Sequence, residues 1–94
     1  MHDIFLAEKI SNVVVALCWK QRIEILEELV VGANPGSHLD EMQLLELIRD
    51  KKPTLVDADT RIRIERDMPD DNAAEIRSLR GRKAPVPENR NAGD

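Results

Sequence analysis

Ninety-four residues, 41% of them hydrophobic and 34% charged, with a formal net charge of −4, bound this chain to one small domain. That size leaves little room for a deep catalytic cleft, and the composition suits a compact helical chain better than a disordered one. Phe5 and Trp19 are the only aromatic residues, so a core must be assembled from Leu, Ile and Val, each contributing about 1.5–3 kcal/mol on burial.

A single cysteine, Cys18, excludes an internal disulfide framework, and no basic stretch precedes an apolar run at the N-terminus. Together these point to the cytoplasm. The longest apolar run, Val13 to Trp19, is seven residues, whereas a membrane-spanning helix needs about 20, so no membrane segment is expected. Charge is uneven: residues 1–50 carry nine acids and four bases, residues 73–94 three acids and five bases. An acidic body repels phosphate, which disfavours nucleic acid as a partner unless the basic end acts alone.

From Asp3 to Val31 neither Gly nor Pro interrupts. Leu6, Ile10, Val13, Val14 and Leu17 recur at the spacing of one helical face, so a helix is predicted, with a strand through Val13–Val15 as the competing reading. That stripe does not continue. At 100° per residue, Ile25, Leu26, Leu29 and Val30 cluster roughly 150° away, so the apolar face switches near Lys20–Arg22. The chain then either turns into a second helix or forms one helix of about 40 Å that overhangs its own core, for which dimerisation is a remedy.

Gly32 to Gly36 is a breaker cluster, and Ser37 followed by Asp40 and Glu41 predicts a helix from His38 to Lys51. Its Leu39, Met42, Leu44, Leu45, Leu47 and Ile48 occupy more than half the circumference, so it should be buried on two sides. Pro53 stops it. Over 54–67 the signals conflict: Thr54 with Asp57 resembles a cap, whereas Arg61 to Glu65 alternates as a strand would, and helix is slightly preferred. Asn72 and Glu75 predict a short helix through Ile76 and Leu79, closed by Arg80 and Gly81. Residues 81–94, with Pro85, Pro87 and Gly93, are expected to be a flexible tail.

Chemistry is sparse. A cysteine nucleophile would need Cys18 beside His2 or His38, but Cys18 lies inside an apolar run that favours packing. One Cys and two distant His match no metal-ligand spacing, and Asp57, Asp59, Asp67, Asp70 and Asp71 lack the glycine and terminal glutamate of a calcium loop. No glycine loop for phosphate is present. Adjacent acids such as Glu27-Glu28 and Asp40-Glu41 diverge on a helix and suit a wet face better than general acid–base work. No enzyme activity, cofactor or small-molecule substrate is therefore expected.

The expectation is an all-α domain of three to five helices over residues 1–80, oligomeric, followed by the tail; the minor alternative is an α+β fold with a short strand near 61–65. The expected function is protein binding as an adaptor, inhibitor or chaperone-like module, self-associating as a homodimer through Val13, Leu17, Trp19, Leu26, Leu44, Leu45, Leu47 and Ile48. Trp19 reads as either an interface anchor or a core residue. Arg77, Arg80, Arg82 and Lys83 form a possible basic contact, with helix-end charge as the structural account. The alternative function is a DNA-binding regulator, a helix-turn-helix of Gln21–Val31 and the helix from His38 with a wing at 61–66, although Asp40 and Glu41 would face phosphate there.

Overall fold

The computed structural model describes residues 2–70 and 73–84, with side chains from residue 6 onward. In chain order it comprises helix α1 (His2–Lys20), strand β1 (Ile23–Ala33), helix α2 (Glu41–Lys51), a 3-10 turn at Pro53–Leu55, and strands β2 (Arg61–Arg66) and β3 (Ala74–Lys83). The strands form one mixed sheet in the order β2-β1-β3, with β2 parallel and β3 antiparallel to β1. This is an α+β fold. The all-α expectation is wrong, and so is the description of the domain as helical; the alternative strand near 61–65 lies where β2 forms.

α1 forms as its spacing predicts, but the buried stripe is Ala7, Ile10, Val14 and Cys18. Leu6, Val13 and Leu17 therefore lie on one flank of the helix. Gln21 and Arg22 close its C-terminus by donating to Leu17 O (2.9 Å) and Trp19 O (3.2 Å), and Arg22 adopts a positive φ of 62°. The face switch near Lys20–Arg22 is real, but it marks helix turning into strand rather than a second helix or one continuous helix.

The misreading of β1 has a physical cause. Three register shifts interrupt its pairing with β3, at Ile23/Ile25, Leu26/Glu28 and Val30/Val31. The first two leave Glu24 and Glu27 as extra residues on β1; the third leaves Arg77 extra on β3. Each extra residue resets the inward–outward alternation. The core positions of β1 thus fall at Ile23, Leu26, Leu29, Val31 and Ala33, and the opening spacing of three imitates a helical stripe.

α2 starts later than predicted. Asp40 is its cap, accepting from Gln43 N at 3.1 Å, while Ser37 Oγ accepts from Leu39 N at 3.0 Å in the preceding turn. Leu39, Leu44 and Ile48 are buried, Leu45 and Leu47 are half-buried, and Met42 is 58% exposed. Both helices pack on one face of the sheet, enclosing a core of Val14, Leu26, Leu29, Val31, Leu44, Ile48 and Leu55. Thr60 ties the crossover to this core: its hydroxyl donates to Leu26 O at 2.7 Å and accepts from Asp57 N at 3.0 Å.

The short helix expected over 72–80 is instead β3, which also takes in Gly81–Lys83 from the segment assigned to the tail. Asn72 and residues 85–94 lie outside the described residues. Gly81 is required by close approach: a Cβ there would meet the Ile23 side chain and the backbone carbonyl of Ile25. Because backbone cannot swing aside, Gly81→Ala is expected to destabilise the fold by about 1–3 kcal/mol, read as a lower midpoint in thermal or urea melting. Thr60→Val should cost about 1–3 kcal/mol in the same assay, since it leaves the buried Leu26 carbonyl without its donor.

Candidate functional site

The side of the sheet away from the helices is a charged surface. Gly32 sits in the central strand with Glu65 of β2 and Glu75 of β3 as its register partners. Arg77 folds across the bare Gly32 backbone, in the space a Cβ would fill. Its Nε donates to Glu75 (2.8 Å), Nη1 to Glu65 (2.9 Å), and Nη1 and Nη2 to the two oxygens of Asp67 (3.0 and 2.7 Å). The Arg77 side chain is only 26% exposed. The bulge in β3 makes this geometry available, because an extra residue re-aims its side chain.

Hydrogen bonds from Arg77 hold the carboxyls of both Glu65 and Asp67 below the usual carboxylate range. The same three carboxylates push the Arg77 guanidinium above its ordinary value. Farther along β3, Arg80 reaches Glu27 at 3.3 Å and Glu28 at 3.2 Å. Of the predicted basic contact, Arg77 and Arg80 are therefore committed to carboxylates of the chain itself, whereas Arg82 and Lys83 are exposed and have no ion-pair partner among the described residues. All four lie on one strand, not on a helix and a tail.

The predicted apolar contacts divide three ways. Leu26, Leu44 and Ile48 are fully buried in the core, so they cannot meet a partner, and Leu45 and Leu47 pack half-buried against it. Val13, 46% exposed, and Leu17 line a groove of about 420 Å³ between α1 and β3, together with Leu6, Ile10, Ala74 and Ile76. Trp19 lies on the opposite flank of α1 and is 79% exposed, which ends the reading of it as a core residue. It borders depressions toward α2 and toward the start of β1.

Several of these positions escaped the sequence reading. The spacing predicts a helix at Ile76 and a chain break at Gly32, and no sequence signal joins Glu65, Asp67 and Glu75 to one arginine. The only available hint was the alternation over Arg61–Glu65. Cys18 is 1% exposed, and burial pushes its thiol up, which opposes thiolate formation. Among the described residues, no three His, Cys, Asp or Glu side chains gather as a metal site would require, and no helix is long and apolar enough to cross a membrane. The helix-turn-helix geometry is absent as well, since Ile23–Ala33, which overlaps its would-be first helix, is a strand.

Fold and surfaces together define a small α+β chain with a three-stranded mixed sheet, helices on one face and ion pairs on the other. Comparison with protein-family models, curated proteins and solved structures finds no match.

The ion-pair cluster yields a titration test. With their pKa values depressed in the folded state, Glu65 and Asp67 stabilise the fold above the ordinary carboxylate range, and that contribution is lost as pH falls through the lowered values. Arg77→Ala should return both carboxyls toward ordinary pKa values in an NMR titration and lower the melting temperature at neutral pH more than at strongly acidic pH. Gly32→Ala should reproduce the titration shift, because its methyl displaces the guanidinium. The two substitutions combined should be less than additive.

Proposed function

We propose that this chain is a protein-binding module that self-associates, with the groove between α1 and β3 as the contact surface. The observation that carries this reading is Val13, left 46% exposed on a groove whose other apolar walls are Leu6, Ile10, Leu17, Ala73, Ala74 and Ile76. Apolar side chains that one copy leaves in water are stabilised when a second surface covers them. The groove runs beside β3, an edge strand of ten residues whose outer side meets no strand among the described residues. Such an edge offers backbone donors and acceptors next to the apolar contact. Two copies meeting there would bury both features at once, in the self-complementary manner of a two-fold dimer.

Binding rather than catalysis is the reading the side chains favour. The one thiol is buried with a raised pKa, and the carboxylates around Arg77 are taken up by its guanidinium. The chain's net charge of −4 and the neutralisation of Arg77 and Arg80 by its own carboxylates argue against a phosphate-bearing partner on the sheet face.

Sedimentation across a concentration series tests the proposal. The wild-type chain is expected to shift toward the mass of two copies, and Val13→Asp, at a position already exposed enough to accept charge, should weaken association by roughly tenfold or more. Met42→Asp, at an exposed site outside the groove, should leave it unchanged. A wild-type chain that stays single at every concentration, or a Val13→Asp chain that associates as tightly as wild type, would overturn the proposal.

A further inference from the structure

On the flank of α1 away from the groove, Trp19 stands where the C-terminal ends of both helices meet. One depression of about 600 Å³ beside it takes Lys20, Arg22, Glu24 and Lys52 into its lining along with Ile23 and Thr54. A second of about 590 Å³, toward α2, is lined by Val15 and Ala16, with Lys51 and Lys52 at its border. Trp19 and Lys52 belong to both. Lys51 is paired with Glu8 at 3.2 Å, whereas Lys20, Arg22 and Lys52 have no ion pair or side-chain hydrogen bond among the described residues. Glu24 is the one acid lining either depression.

Cations at helix ends are favourable in their own right, since each C-terminus carries about half a negative charge. Counting Lys20, Arg22 and Lys52 against Glu24 and two such helix ends still leaves this corner positive, on a chain whose net charge is −4. The backbone adds an independent indication. Arg22 occupies a left-handed conformation, with φ of 62°, just after α1, a place where glycine is favoured over a residue bearing Cβ. A long cationic side chain stands at a position whose backbone favours none. An exposed indole beside cations that have no ion pair among the described residues is complementary to an apolar side chain flanked by carboxylates.

We propose that the Trp19 corner binds an acidic linear segment of another protein, with an apolar side chain laid against the indole and carboxylates at Lys20, Arg22 and Lys52. A single-stranded nucleic acid fits less well: it needs successive stacking platforms, and Trp19 is one of two aromatics in an acidic chain. The corner is separate from the proposed self-association groove, so either can fail without the other.

Trp19 is the only tryptophan and the chain has no tyrosine, so its fluorescence reports on this corner directly. The full-length protein would be titrated with a synthetic peptide of alternating Glu and Leu, the matching Lys and Leu peptide, and oligothymidylate. The acidic peptide should produce a saturable blue shift that weakens with added salt, and Lys20→Glu combined with Lys52→Glu should reduce its affinity by roughly tenfold. The Val13→Asp chain should bind it as wild type does, which separates this site from the groove. No saturable shift, tighter binding of oligothymidylate, or affinity untouched by the charge reversals would overturn the proposal. So would emission that is already blue and moves with protein concentration, which would place a second copy over Trp19, or blue emission at every concentration, which would place the chain's own segment there.

Discussion

Every other element takes its place from the burial of β1. The strand is hydrogen-bonded on both sides, and Leu26, Leu29, Val31 and Ala33 are wholly removed from water beneath α1 and α2. Two helices cover only one face of a three-stranded sheet, so the other face must be compatible with solvent. It achieves this with charge rather than with a second apolar layer. Arg77 lies over Gly32 and shields the central strand, while Glu65, Asp67 and Glu75 satisfy its donors. Because these groups are partly solvated, their value lies more in fixing the register of β2 and β3 about β1 than in large stabilisation.

The irregularities of β1 and β3 belong to the same arrangement. A regular strand would send every second residue inward, which the spacing of Ile23, Leu26 and Leu29 does not allow. Extra residues at Glu24 and Glu27 absorb the mismatch and keep both acids out of the core. Glu27 then meets Arg80, and the extra Arg77 on β3 reaches across the sheet. Gly81 lets β3 approach Ile23 and Ile25 where the first two bulges bring the backbones close. The bulges thus serve the core on one face and the ion pairs on the other.

α1 decides which surfaces remain open. It lies between β3 and α2, turning Ala7, Ile10, Val14 and Cys18 inward, and its apolar circumference is wider than the strip the sheet can cover. The surplus appears on both flanks, as Leu6, Val13 and Leu17 toward β3 and as Val15, Ala16 and Trp19 toward α2. The two flanks differ in character. The first is an apolar groove beside β3, whose outer edge meets no strand among the described residues; the second is an exposed indole with cations beside it.

The sequence was legible where local chemistry is in control. It placed a helix at the start of the chain with its end open near Lys20–Arg22, a break within Gly32–Gly36 that the structure begins only after Ala33, the end of α2 before Pro53, and Cys18 as a packing residue. It singled out Val13 and Trp19, which lie exposed, together with Leu26, Leu44 and Ile48, which do not. The strands were decided only by tertiary structure. Ile25, Leu26, Leu29 and Val30 read as a helical stripe because bulges, which form only against β3, change the period from two to three. Ile76 and Leu79 carry the same ambiguity on the other side of that pairing. Leu26, Leu44 and Ile48 could not be separated from Val13 and Trp19 by pattern alone, because burial depends on which elements stack over which. The cluster of Glu65, Asp67, Glu75 and Arg77 was equally hidden, since only strand register brings those residues together across Gly32.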